Sequence, residues 1–215
     1  MNCKMVSNHI KNWLIERLKH AKCEGFVIGV SGGVDSAVTS TLAALTGKPV
    51  LCLNMPIRQE KSQFSRSNNH IKWLKNKFLN VESHVISLDE TLTGFEKDLG
   101  DVHINKLAEA NLRSRIRMCA LYAMANTKNY LVLGTGNKIE DYGIGFFTKY
   151  GDGGVDISPI ADLLKSEVYE LARFFDINQE IQDALPTDGL WDDNRGDEDQ
   201  IGASYDELEW AYNFF

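Results

Sequence analysis

Six residues carry the first chemical signal in this chain: Ser31-Gly32-Gly33-Val34-Asp35-Ser36. The two glycines let the backbone close on an oxyanion, and free N–H groups at a helix start would face it, so the stretch reads as a phosphate cradle. It lacks the Gly-Lys-Ser/Thr ending of one common phosphate loop and the Gly-x-Gly-x-x-Gly spacing of another. Ser31 and Ser36 flank an acid, Asp35, that would repel bare phosphate, which argues for a bridging Mg²⁺. The competing account is an ordinary strand-to-helix turn with Asp35 and Ser36 as helix caps.

A cradle needs a strand before it and a helix after it. Phe26 to Val30 is a short β-branched run behind Gly25, as a buried strand is, and Ala37 to Leu45 predicts a helix ending near Gly47. Upstream, Ile10, Trp13, Leu14, Leu18 and Ala21 recur at helical spacing within Val6 to Lys22. That stripe packs on a sheet or faces a partner. Val50 to Met55 reads as a second strand stopped by Pro56, Arg58 to Leu79 as a covering helix, and Val85-Ile86-Ser87-Leu88 as a third strand.

Ile104 to Asn126 predicts a long helix with Leu112, Ile116, Cys119 and Ala123 as one apolar stripe against the sheet. Asn111, Arg115, Met118 and Tyr122 run beside it, and Arg113 and Arg117 share another side. Tyr130 to Thr135 is a fourth strand ending in a Gly-Thr-Gly turn. Strands alternating with helices predict an α/β fold with a doubly wound, mainly parallel sheet. Ligands in such sheets sit outside the carboxyl ends of the strands, where Ser31 and Thr135 emerge.

Beyond residue 140 the chain turns glycine-rich, and Asp141 to Asp156 reads as a shaped binding loop. Lys165 to Phe175 and Asn178 to Leu185 resume helical spacing. Asp188 to Gln200 is acidic and turn-rich, with Asp192, Asp193, Asp197, Glu198 and Asp199. Ile201 to Phe215 predicts a terminal helix.

Composition narrows the class. With 215 residues, 43% hydrophobic and 25% charged, the chain reads as one globular domain, residues 1–215. A formal net charge of -7 disfavours non-specific binding to nucleic acid or an anionic membrane. Cys3, Cys23, Cys52 and Cys119 are scattered without a Cys-x-x-Cys pair, which argues against a zinc or redox motif and for reduced thiols in a cytoplasmic protein. No signal peptide or membrane span is expected.

Several stretches together resemble one family. Ser31 to Ser36 is similar to the loop of the ATP pyrophosphatases, which cleave ATP to AMP and pyrophosphate while adenylating a substrate; GMP and asparagine synthetases share it. Gly145-Phe146-Phe147-Thr148-Lys149-Tyr150-Gly151-Asp152-Gly153-Gly154-Val155-Asp156 resembles the deamido-NAD loop of NAD synthetases. Arg115-Ile116-Arg117-Met118, Gly134 to Glu140, Pro186 to Leu190, and Asp197-Glu198 through Tyr205-Asp206 extend the match from the first strand to the end of the chain. The resemblance implies a Rossmann-like fold of the adenine nucleotide alpha hydrolase type.

It also implies a reaction. Deamido-NAD attacks the α-phosphorus of ATP, pyrophosphate leaves, and ammonia converts the acyl adenylate to NAD and AMP. The residues implied to bind ATP are Gly29, Val30, Ser31, Gly32, Gly33, Val34, Asp35 and Ser36 of the cradle, with Thr135, Lys165 and Thr187. Asp35 and Glu140 would hold Mg²⁺, and these two with Lys165 would form the catalytic set. Arg115, Lys149 and Asp156 would hold deamido-NAD, with Arg117 open for the same role; Phe146 and Phe147 offer aromatic surface for a base or simply pack.

The implied assembly is a homodimer, to which the Ile10 to Leu18 and Leu107 to Ala123 stripes could contribute. Too little chain precedes the first strand for a glutaminase, so free or externally supplied ammonia is the expected nitrogen donor. The family's late His-Lys pair has no match, and the C-terminal segment is expected to be missing by truncation or natural loss. Two alternatives stay open: an ATP pyrophosphatase with another acceptor, and a nucleotide-binding module without efficient turnover.

Overall fold

A computed structural model describes residues 1–190 and 195–214; Asp192, Asp193 and Phe215 lie outside the described residues. Four parallel strands form one sheet: β1 (Gly25–Gly29), β2 (Val50–Asn54), β3 (Val81–Val85) and β4 (Tyr130–Leu133), in the order β3-β2-β1-β4. Phe26 pairs with both Val50 and Leu131, and Val50 with Val81. The chain winds outward from β1 through β2 to β3, then returns to β4 on the other side of β1. The order therefore reverses at β1, and the crevice that forms at such a point receives ligands in doubly wound sheets.

Helices cover both faces. On one, α1 (Cys3–Ala21), α2 (Val34–Leu45), α3 (Lys61–Lys77), α6 (Lys165–Phe174) and α7 (Gln179–Gln182) enclose a core containing Phe26, Ile28, Leu42, Leu74 and Leu171. On the other, α4 (Asp89–Leu99) and α5 (Lys106–Lys128) cover Val27, Leu51, Leu53 and Val132. Two short helices, α8 (Asp197–Ile201) and α9 (Tyr205–Phe214), follow. The residues of β2 and most of β1 and β4 are buried on both faces, which is why they read as apolar runs rather than alternations. Ile10, Leu14 and Leu18 are buried in the first core, so that α1 stripe is core and not a partner face.

Three expectations need correction. The third strand is Val81–Val85 and not residues 85–88. Only Val81 of this edge strand is buried, while the more apolar Ile86 and Leu88 sit beyond its end and donate their N–H groups to Asn54 O and Pro56 O. On α5, Cys119 and Ala123 are exposed, whereas Leu112, Ile116, Ala120 and Leu121 pack on the second core. Finally, a π-helical turn, Ile139–Ile144, occupies the start of the glycine-rich stretch. Among the described residues no helix is long and apolar enough to cross a membrane.

Candidate active site

The cradle follows β1 directly. Gly33, not Asp35 or Ser36, is the residue that precedes α2, and it makes no side-chain cap bond. The cap account of Asp35 and Ser36 therefore fails. The Ser36 hydroxyl is turned back into the loop, donating to Gly33 O at 3.0 Å and accepting from Ser31 N at 3.2 Å. Gly32 has φ +87°, and a Cβ there would stand 2.8 Å from Gln63 O. Its freedom lets the loop pass against α3.

Gly29, Val30, Ser31, Gly33, Val34, Asp35, Ser36, Thr135, Glu140, Lys165 and Thr187 all line one cavity of ≈ 400 Å³. Of the expected ATP set Gly32 alone is absent from the wall, because its packing is on α3. The cavity lies at the carboxyl ends of β1 and β4, where the strand order reverses.

At its centre three sequence-distant residues meet. Lys165 Nζ lies 2.7 Å from Asp35 Oδ2 and 2.9 Å from Glu140 Oε1, and its side chain is 4% exposed. A lysine at the first position of a helix opposes the helix dipole, and the two carboxylates compensate it. Asn137, fully buried, accepts from the Ile139 and Glu140 N–H groups and donates to Asp35 Oδ1 at 3.1 Å. It thereby starts the π-helical turn and ties the two acids together. Tyr205 from α9 donates its hydroxyl to Glu140 Oε1 at 2.6 Å and lays its ring 4.7 Å from Lys165 Nζ.

Protonation follows from this arrangement. Burial, reinforced by the Glu140 charge and only partly opposed by Lys165, keeps the Asp35 carboxyl above its usual range. Burial would push Glu140 the same way, but Lys165 and the Tyr205 hydroxyl outweigh it and hold that carboxyl below. Burial would likewise lower Lys165, yet the two carboxylates hold its ammonium well above the ordinary lysine value. The cluster thus carries a fixed cation against two unequal acids.

The expected dinucleotide residues lie elsewhere. Arg115, Lys149 and Asp156 are exposed and outside the cavity wall. The glycine-rich loop, which carries Lys149 and Asp156, is bonded along the α5 stripe at Asn111, Arg115 and Tyr122. Thr148 Oγ1 donates to Asn111 at 2.7 Å, Arg115 Nε to Lys149 O at 3.2 Å, and the Tyr122 hydroxyl to Asp156 at 3.0 Å. The Ser114 hydroxyl donates to Asp152 Oδ1 at 2.6 Å and accepts from the Asp152 N–H at 2.9 Å. A Cβ on Gly151 would collide with Ser114 Oγ, so this seat requires glycine. Phe146 and Phe147 face the cavity from the loop, Phe147 remaining 45% exposed.

Arg117 differs from Arg115. Its Nε donates to Met55 O at 3.1 Å, its Nη2 is buried without a partner among the described residues, and the side chain lines the cavity. Burial, with Arg113 nearby, depresses its guanidinium to about 10. Asn137, Tyr205 and Asp197 received no individual role from the sequence, although each lies in a matched segment. The Thr187 hydroxyl donates to Arg195 O at 3.0 Å, so it also organises the loop that carries it.

A family model described as NAD synthase matches residues 6–214. The chain belongs to the NAD synthase family. An NH₃-dependent NAD⁺ synthetase of Syntrophomonas wolfei is 41% identical over 214 residues, covering 97% of this chain and 84% of the relative. Among solved structures, an NMN synthetase from Francisella tularensis superposes with a TM-score of 0.92 at 36% identity, covering 99% of this chain and 87% of that one. An NH₃-dependent NAD synthetase from Campylobacter jejuni gives 0.77 at 31% identity, covering 85% and 77%. The expected fold type and ligase class therefore stand, and ATP is a substrate of the family.

Proposed function

We propose that this chain amidates deamido-NAD to NAD with ammonia, consuming ATP through an acyl-adenylate and releasing pyrophosphate and AMP. The observation that carries this reading is the meeting of Asp35, Glu140 and Lys165 beside the phosphate cradle, in a chain of this family. Both steps need charge neutralised and reactants aligned more than they need a strong acid or base. The cradle N–H groups and the Ser31 hydroxyl would bind the triphosphate. Lys165 would exchange a carboxylate contact for a phosphate oxygen, and Thr135 and Thr187 would bound the nucleotide.

The donor set suits Mg²⁺. Two hard carboxylates converge beside the cradle, and Mg²⁺ takes one or two carboxylates while completing its shell with waters and phosphate oxygens. Bound to Asp35 and Glu140, the ion would neutralise charge developing on the departing pyrophosphate. Arg115, Lys149 and Asp156 would hold the part of the acceptor that projects beyond the loop, and Arg117 the part inside. Their exposure is compatible with a homodimer in which a second copy covers the strip. A cytoplasmic setting accords with the ATP requirement.

A second reading follows from the close superposition on an NMN synthetase: the acceptor is nicotinate mononucleotide. One assay separates the two. Pyrophosphate release and ammonium-dependent product are measured with ATP and either acceptor. The dinucleotide reading expects the higher kcat/KM with deamido-NAD. Preference for the mononucleotide would replace it, and pyrophosphate release indifferent to both would overturn each.

A further inference from the structure

Asp197 opens α8 and is 6% exposed, yet only one of its carboxylate oxygens is used. Oδ2 lies 3.2 Å from the Tyr205 hydroxyl, whose one proton is shared with the nearer Glu140, whereas Oδ1 is buried with no partner among the described residues. An unsatisfied buried acceptor is costly, so a retained one marks a place where something else binds. The side chain lines the cavity, and the groups facing it are the Lys165 ammonium, the Glu140 and Asp188 carboxylates and the Tyr205 hydroxyl. Lys165 places its hydrogen bonds on Asp35 and Glu140. Three carboxylates are thus gathered around one ammonium, and the third has an oxygen to spare.

A lone oxygen beside a hydroxyl does not make a magnesium site, which demands six oxygens in strict octahedral array. It suits a small monovalent cation with N–H donors. Resting on the ammonia-dependent reading above, we propose that Asp197 Oδ1 binds the ammonium ion that supplies the product nitrogen and takes a proton from it. One N–H bond breaks and its proton moves to Oδ1. The freed lone pair of ammonia attacks the acyl carbon of the adenylate, and the carbon–oxygen bond to AMP breaks with its electron pair leaving on the AMP phosphate. A second nitrogen proton passes to that phosphate or to water, leaving the neutral amide.

The test separates the half-reactions in Asp197→Asn. Adenylation is read as deamido-NAD-dependent exchange of labelled pyrophosphate into ATP without ammonium; amidation is read with ammonium and, separately, with hydroxylamine, a nucleophile already neutral at assay pH. The expected result is exchange close to wild type, a KM for ammonium raised about tenfold or more, and a retained rate with hydroxylamine. Asp197→Glu, which keeps a carboxylate, should recover part of the ammonium use. Unchanged ammonium kinetics would overturn the proposal, as would parallel loss of exchange and of both nucleophiles, which marks a structural role. If the asparagine variant does not fold, the hydroxylamine-to-ammonium rate ratio of Asp197→Ser gives the same reading. Absence of exchange in the wild-type chain would instead count against the reaction itself.

Discussion

Replacing Lys165 with methionine removes the cation between Asp35 and Glu140 while keeping most of the buried stem. At contacts of 2.7 and 2.9 Å and an effective dielectric of about 20, the ammonium attracts each carboxylate by roughly 6 kcal/mol before desolvation. Most of that is offset by dehydrating the charges, and removing one partner of a buried pair costs about 3–5 kcal/mol net. Lys165→Met is therefore expected to unfold earlier in urea by that amount at neutral pH. Its deficit should shrink as pH falls. Two uncompensated acids have folded-state pKa values above their unfolded ones, the direction already present in Asp35, so the folded state of the variant binds protons that the unfolded state has released. Stability is then highest below the unfolded carboxyl values and is lost as pH rises through the raised ones. Added Mg²⁺ should recover part of the loss, since it can replace the missing charge. Asp35→Asn makes the opposite case: it leaves a neutral Lys165–Glu140 pair and should suppress adenylation with an unfolding midpoint at or above wild type. A Lys165→Met midpoint within about 1 kcal/mol of wild type, with an unchanged pH slope and no response to Mg²⁺, would refute the reasoning.

The two arginines of α5 should both affect the acceptor, by different routes. Arg117→Met is expected to raise the acceptor KM about tenfold or more through a buried donor in the cavity wall, and Arg115→Met to do so by displacing Lys149 and the loop; equal and negligible effects would exclude both. His70 offers a stability test remote from the chemistry. It is fully buried against Ser40, and burial lowers its imidazole to about 4 from 6.5, so the unfolded chain binds the extra proton between those values. Stability should fall by up to roughly 3 kcal/mol as pH drops through that window, and His70→Gln should flatten the profile; parallel profiles would contradict a neutral buried ring.

What the sequence made legible follows the range of the interactions. The strand of Phe26, the cradle and the second and fourth strands are local patterns of apolar burial punctuated by glycine and proline, and each lies within a residue or two of its expected place. The third strand does not: of Val81 to Val85 only Val81 is buried, so the segment carried less apolar signal than the Ile86 to Leu88 run beyond it. Helix α4 buries only Leu92 and offered still less. The stripe Asn111, Arg115, Met118 and Tyr122 was visible as a helix face, but its partner was not, since the glycine-rich loop reaches it from more than thirty positions away.

The candidate site shows the same limit more sharply. Nothing local distinguishes Lys165 from a solvated lysine at a helix start; its meaning comes from Asp35, 130 positions earlier, and Glu140, 25 earlier. Tyr205 likewise acquires a role only through Glu140, 65 positions away, and Asp197 only through Tyr205. Family resemblance pointed to Asp35, Glu140 and Lys165 together because it carries such long-range pairings implicitly. It did not supply the unused Asp197 oxygen, which is a property of three-dimensional packing alone. On the proposed reading the cradle and its Asp35 are where phosphate goes, while Glu140 and Lys165, gathered from later in the chain, set what charge meets it there.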